Sequence, residues 1–135
     1  MRGWYLSTFL IVTFVVVVFG APKSFEENVK ALRKINLNDV LKNDRIVRSY
    51  IDCVIGTKPC TPEGLAMKES WKEGLDKTCD KCEEEDKIKV KKVVKYIYLN
   101  HRDWYDELAN TFDKDKKYQT KYQEYIDQLL VDPAI

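Results

Sequence analysis

Four cysteines downstream of an apolar N-terminus constrain this chain more than any other feature. They stand at Cys53, Cys60, Cys79 and Cys82, spaced C-x6-C-x18-C-x2-C. The stretch from Met1 to about Gly20 opens with Arg2 and runs almost wholly apolar from Leu6 to Phe19, interrupted only by Ser7, Thr8 and Thr13. A positive start, a short apolar run and small residues (Val18, Gly20) ahead of Ala21 form the pattern of a cleaved secretion signal. A membrane anchor needs about 20 apolar residues, more than this run offers. Secretion places the thiols in an oxidising compartment, where an even set reads as disulfides before metal ligands or nucleophiles. Four thiols admit three pairings. The local one, Cys53–Cys60 with Cys79–Cys82, is expected. The first link clips the end of one helix to the start of the next across a tight turn; the second closes a ring between two helices. Each loop is small and contributes only roughly 2–2.5 kcal/mol in the chain-entropy account. Such links set helix ends and crossing angles without holding the whole domain shut.

With residues 1–20 removed, 21–135 form a single domain of about 115 residues. The 23 Lys and Arg include Arg2, so this part carries 22 basic against 22 acidic side chains. The charges are interspersed, which excludes the basic block of a nucleic-acid binder and the acidic tail of a partner for cations. Gly and Pro are few, 5 and 4, so long coil segments are not expected.

The periodicity is helical. Residues 23–34 are charged, with scattered Phe25, Val29 and Leu32, and read as a loosely held arm or a short helix. A short helix follows, capped by Asn36 or Asn38. Ile46, Val47, Tyr50, Ile51, Val54 and Ile55 then make a wide apolar stripe that Gly56 terminates. Thr61-Pro62-Glu63 opens the next helix with a hydroxyl cap, Pro at the first helical position and a first-turn carboxylate. Met67, Trp71 and Leu75 continue it at i+4 steps. Residues 83–100 carry strand formers, but length and charged flanks favour helix. A short helix over 101–109 and a last one over 118–130 complete an all-α bundle of about six helices.

The catalytic alternatives find little support. Zinc wants a second close cysteine pair, which the x6 spacing does not supply. Cys79-Asp80-Lys81-Cys82 has the form of a redox motif, but no strand–helix unit surrounds it. His101 is the lone histidine, flanked by Arg102 and Asp103, and reads as solvated; no serine elbow accompanies it. Glu83-Glu84-Glu85 reads as the acidic start of a helix.

The cysteine spacing, Asn38-Asp39-Val40-Leu41, Asn43-Asp44-Arg45, Tyr50 ahead of Cys53, Pro59-Cys60-Thr61-Pro62-Glu63-Gly64, Cys79-Asp80-Lys81-Cys82, Leu108, Phe112-Asp113, Tyr118 and Tyr122 together resemble the insect chemosensory protein family, also called the OS-D-like or pheromone-binding A10 family. The resemblance spans nearly all of 21–135. It implies a compact bundle of six helices around an internal apolar tunnel, two local disulfides, and binding of long-chain apolar compounds by a small secreted protein. Met67 and Trp71 stand where the family commonly has aliphatics.

On that basis Tyr50, Val54, Met67, Trp71, Ile97, Trp104, Leu108 and Tyr122 are the candidate ligand-lining residues. Tyr50 and Tyr122 carry hydroxyls able to meet a ligand head group or each other, and Met67 adapts to ligand shape. The expected function is a monomeric, secreted, non-catalytic carrier of hydrophobic small molecules. It needs no cofactor or metal, binds no nucleic acid, and does not insert stably in membranes once the leader is cut. The rival readings are a secreted factor whose partner is another protein, and a redox protein using Cys79 and Cys82.

Overall fold

The computed structural model describes residues 23–135; the expected secretion signal, 1–20, lies outside the described residues. Among the described residues the chain is all helical. The order is α1 (Phe25–Arg33), α2 (Leu37–Leu41), α3 (Asp44–Ile55), α4 (Pro62–Asp76), α5 (Glu84–Asn100), α6 (Arg102–Phe112) and α7 (Lys117–Val131). The helix beyond the expected six is α1, where an arm was one of two readings. Ser24 caps it by accepting from the Glu27 N–H at 3.2 Å. Glu26 and Glu27 at its start, with Lys30 and Arg33 at its end, suit the helix dipole. It lies along α4 and buries Asn28 to 2 % exposure.

Local chemistry sets the other boundaries. Asn36 caps α2 through the Asp39 N–H, and Asn43 caps α3 through the Arg45 N–H. Gly56, at φ 99°, ends α3 in the left-handed region that a side chain disfavours. Thr61 Oγ1 accepts the Gly64 N–H at 3.1 Å and Pro62 opens α4. Asp86 accepts the Glu83 N–H at 3.0 Å where α5 begins, so the acidic run does sit at a helix start. His101 alone joins α5 to α6, which forces a tight corner.

Both expected disulfides are formed. Cys53–Cys60 ties the last turn of α3 to the entry of α4, and Cys79–Cys82 closes the turn between α4 and α5. The first link fixes how closely the two helices approach. A Cβ on Gly64 would lie 2.8 Å from Cys53 Sγ, so glycine is what that crossing admits. The α3 stripe buries Val47 and Ile51 against Ile97 of α5, and Val40, Leu41, Val93, Trp104 and Leu108 pack around them. Ile46, at the edge of the stripe, stays 40 % exposed. Among the described residues no helix is long and apolar enough to cross a membrane.

Candidate ligand-binding site

The eight candidate side chains fall into three groups. In the first, Ile97 is buried with Val47 and Ile51, and α6 sets Trp104 and Leu108 against them. Trp104 is fixed on its outer side. Its ring stacks on His101 with centroids 3.6 Å apart and planes 5° from parallel, and the Arg48 guanidinium lies 5.7 Å from its centroid. Arg48 is itself clamped by Glu107 of α6 at 2.7 and 3.1 Å and by Asp52 at 2.9 Å. Burial pushes the Asp52 carboxyl up, but Lys58 and Arg48 outweigh it and hold the group below the usual carboxylate range. His101 Nε2 lies 3.1 Å from Asp44, whose carboxylate also accepts from the Tyr96 hydroxyl. The Tyr96 bond is the largest of the effects that lower the Asp44 carboxyl. This corrects the solvated reading of His101, whose side chain is 21 % exposed: its charged sequence neighbours hid a stacking partner three residues away.

In the second group Trp71 of α4 meets Phe112 at 4.6 Å and Tyr118, edge-on, at 6.0 Å between centroids. Tyrosine hydroxyls fasten α7 to the same end of α4. Tyr118 donates to Asp76 at 2.6 Å, and that bond pushes its phenol up to about 12. Tyr122 donates to the Leu75 carbonyl. The Tyr122 hydroxyl is therefore not paired with Tyr50.

The third group lies near the first disulfide. Val54 is buried, and Tyr50 is half-buried with Cδ1 3.6 Å from where a Cβ on Gly64 would stand. Met67 is half-buried on α4, one turn before Trp71.

Phe112 and Tyr118 belong with Trp71 but stood outside the candidate set. Tyr118 shares the α7 stripe with Tyr122, which was the available signal; for Phe112, at the end of α6, it was the Phe112-Asp113 pair of the family resemblance. The three groups share one pattern of burial in the interior. Its buried apolar residues are mainly aliphatic, Val47, Ile51, Val54, Ile97, Ile126 and Leu129 among them, while no aromatic side chain among the described residues is buried. A separate open groove of about 400 Å3 lies between the α1–α2 connection and α5, and it is lined by none of the eight candidates.

Short helices, two local sulfur links and partly covered aromatics around aliphatic clusters define a small disulfide-linked all-helical domain. The chain belongs to the insect pheromone-binding family A10/OS-D, whose family model matches residues 29–120. It is 33 % identical over 114 residues to ejaculatory bulb-specific protein 3 of Drosophila melanogaster, covering 84 % of this chain and 90 % of that one. To the allergen Tha p 1 of Thaumetopoea pityocampa it is 27 % identical over 95 residues, 70 % of this chain and 75 % of the relative. A chemosensory protein solved in complex with bromo-dodecanol superposes with a TM-score of 0.61 at 28 % identity, over 67 % of this chain and 91 % of that one. The antennal chemosensory protein A6 of the moth Mamestra brassicae gives 0.60 at 28 % identity, over 73 % and 98 %.

Proposed function

We propose that this protein is a secreted, monomeric, non-catalytic carrier of long-chain hydrophobic molecules, which occupy an apolar tunnel walled by the Trp71 and Trp104 groups. The observation that carries the reading is that no described aromatic side chain is fully buried: each is partly covered except Tyr125, which is 46 % exposed. Large aromatic surface that the chain does not cover itself gains by covering a guest. The relative that holds bromo-dodecanol supports a guest of this class. Burial contributes about 0.8 kcal/mol per methylene, so a chain of about twelve carbons gains roughly 9–10 kcal/mol gross. Ordering and association costs bring this to about micromolar affinity. Tyr50, Val54, Met67, Ile97, Leu108 and Tyr122 are the further wall residues in this proposal.

The two disulfides support export of the chain, with 1–20 as the leader. The surroundings of Cys79–Cys82 speak against redox catalysis. The pair sits just before α5, whose cap and first turn are Glu83, Glu84, Glu85 and Asp86, and four carboxylates oppose the thiolate that exchange requires. Displacement of a fluorescent apolar probe by an alkanol series tests the carrier reading. Affinity rising with chain length, together with a change in Trp71 and Trp104 emission, is expected. Affinity independent of chain length would remove the tunnel.

A further inference from the structure

We propose that the groove between the α1–α2 connection and α5 is a second binding site. Its ligand class is a single long-chain amphiphile with an oxyanion head, of which an alkyl carboxylate is the simplest. The groove holds about 400 Å3 and is lined by Arg33, Lys34, Ile35, Asn36, Leu37 and Asn38 on one side and by Lys89 and Lys92 on the other. That volume is within the range of small-molecule sites.

The charge in it is one-sided. Four of its lining residues are cations and none is a carboxylate. Arg33 is satisfied within the protein, by Asp86 at 3.0 and 2.8 Å and by Glu83 at 3.6 Å. Among the described residues, no hydrogen bond or ion pair engages the ammonium groups of Lys34, Lys89 or Lys92; Asp86 is the carboxylate that feels the charge of Lys89. Two other lysines of α5 find partners inside the molecule. Lys95 donates to the Asp132 and Ile135 carbonyls at 2.7 and 3.1 Å, and Lys91 faces the Tyr125 ring at 5.7 Å. Lys89 and Lys92 instead stand one turn apart and half-buried at a recess that Lys34 faces from the opposite wall. Like charges gathered over a concavity repel one another, and a bound anion turns that repulsion into attraction.

Two further features narrow the ligand. Asn36 spends its carbonyl oxygen on the Asp39 N–H, which leaves its amide N–H groups as donors, again suited to an oxyanion. Ile35 and Leu37 are half-buried in the same wall and supply apolar surface to the first methylenes of a tail. Concavity favours a monomeric amphiphile over a flat lipid surface, which cannot follow the recess. The site is independent of the tunnel, with which it shares no residue.

The test is equilibrium dialysis of labelled dodecanoate, kept monomeric, and of dodecanol, against the wild type and the Lys89→Gln/Lys92→Gln variant. Glutamine keeps helix propensity and length while removing the charge. Dodecanoate affinity is expected to fall about tenfold in the variant, the scale of two partly screened charge-assisted contacts. High salt should weaken dodecanoate binding to the wild type and spare that to the variant, with dodecanol binding equal in both. Equal dodecanoate affinity in the two proteins would overturn the proposal, and so would a parallel loss of dodecanol. Lysine-dependent sedimentation with phosphatidylglycerol vesicles, without uptake of monomeric dodecanoate, would likewise overturn it in favour of a lipid surface. Failure of the carrier reading is a separate result: wild type that takes up no dodecanol.

Discussion

Replacing Asp113 with Ala tests how the last helix is held. Asp113 follows α6, is 9 % exposed, and accepts from two N–H groups of α7: Tyr118 at 3.0 Å and Gln119 at 2.8 Å. These belong to the first-turn donors that have no partner within a helix. Lys116, immediately before α7, adopts φ 57° and gives no side-chain cap, so Asp113 performs the capping from three residues upstream. Losing a cap costs about 0.5–2 kcal/mol, and a hydrogen bond to a charged group is worth about 1.5–3 kcal/mol. With both donors left unpaired in a partly buried place, Asp113→Ala is expected to cost about 2–3 kcal/mol. In a domain of this size that lowers the melting temperature by about 10 °C. Asp113→Asn keeps an acceptor and should lose roughly half as much. The pH dependence adds a second check. Burial pushes the Asp113 carboxyl up, but the N–H bonds from Gln119 and Tyr118 outweigh it and hold the group below the ordinary carboxylate range. A depressed folded value means that its stabilisation is complete above the unfolded value, about 4. It is lost as pH falls through the folded value. The gap between wild type and Asp113→Asn should therefore close in acid. Urea unfolding followed by far-UV dichroism and by Trp71 emission, at neutral and acid pH, measures both effects. A loss below about 0.5 kcal/mol for Asp113→Ala, or an unchanged gap in acid, would refute the capping argument.

Gly64→Ala should lower the unfolding midpoint. Overpacking against Cys53 Sγ costs about 1–3 kcal/mol, more than the roughly 1 kcal/mol that Ala adds in helix propensity. In a Cys53→Ser/Cys60→Ser background the same change should be neutral or stabilising, which thermal melts of the four proteins would show. Tyr122→Phe should lose about 1 kcal/mol with the Leu75 carbonyl bond yet leave dodecanol affinity within about twofold, since that hydroxyl is already engaged. Trp71→Ala should weaken dodecanol severalfold or more, and probe displacement compares the two. Arg48→Met should destabilise more than Glu107→Gln in chemical denaturation, because it leaves the Asp52 side chain, 8 % exposed, with only Lys58 for company.

Much of the frame is written in local signals. Thr61-Pro62-Glu63, Gly56 and the α3 stripe predict their boundaries because each acts within one turn of itself, and the sulfur links join near neighbours. Residues 84–100 form α5 despite their Val, Ile and Tyr content, since length and charge outweigh β-propensity there. What escaped depends on distant partners. The inner face of α1 is centred on Asn28, which an apolar count discounts. That amide donates to Glu69 at 3.3 Å, forty-one residues away. The cap of α7 escaped because Asp113 reaches over a left-handed Lys116 that no short motif announces. His101 reads as solvent-facing until α3 brings Asp44 and Arg48 to the corner it turns. In the candidate site, Ile97, Trp104 and Leu108 were legible together from helical spacing and the family resemblance. That Phe112 and Tyr118 flank Trp71 follows only once α6 and α7 have been placed against α4.

Each sulfur link closes on a residue close by in sequence, seven and three positions apart. No covalent bond other than the backbone therefore joins 117–135 to the rest of the molecule, and that backbone passes through the exposed turn Lys114-Asp115-Lys116. One tryptic cut there would turn α7 into a separate peptide, retained by noncovalent contacts alone: tyrosine hydroxyls and Lys121 on α4, Lys95 on the Asp132 and Ile135 carbonyls, the Asp113 cap, and aromatic and aliphatic side chains. The fold thus has a tear line, and the strip it would release carries Tyr118, which meets Trp71 edge-on.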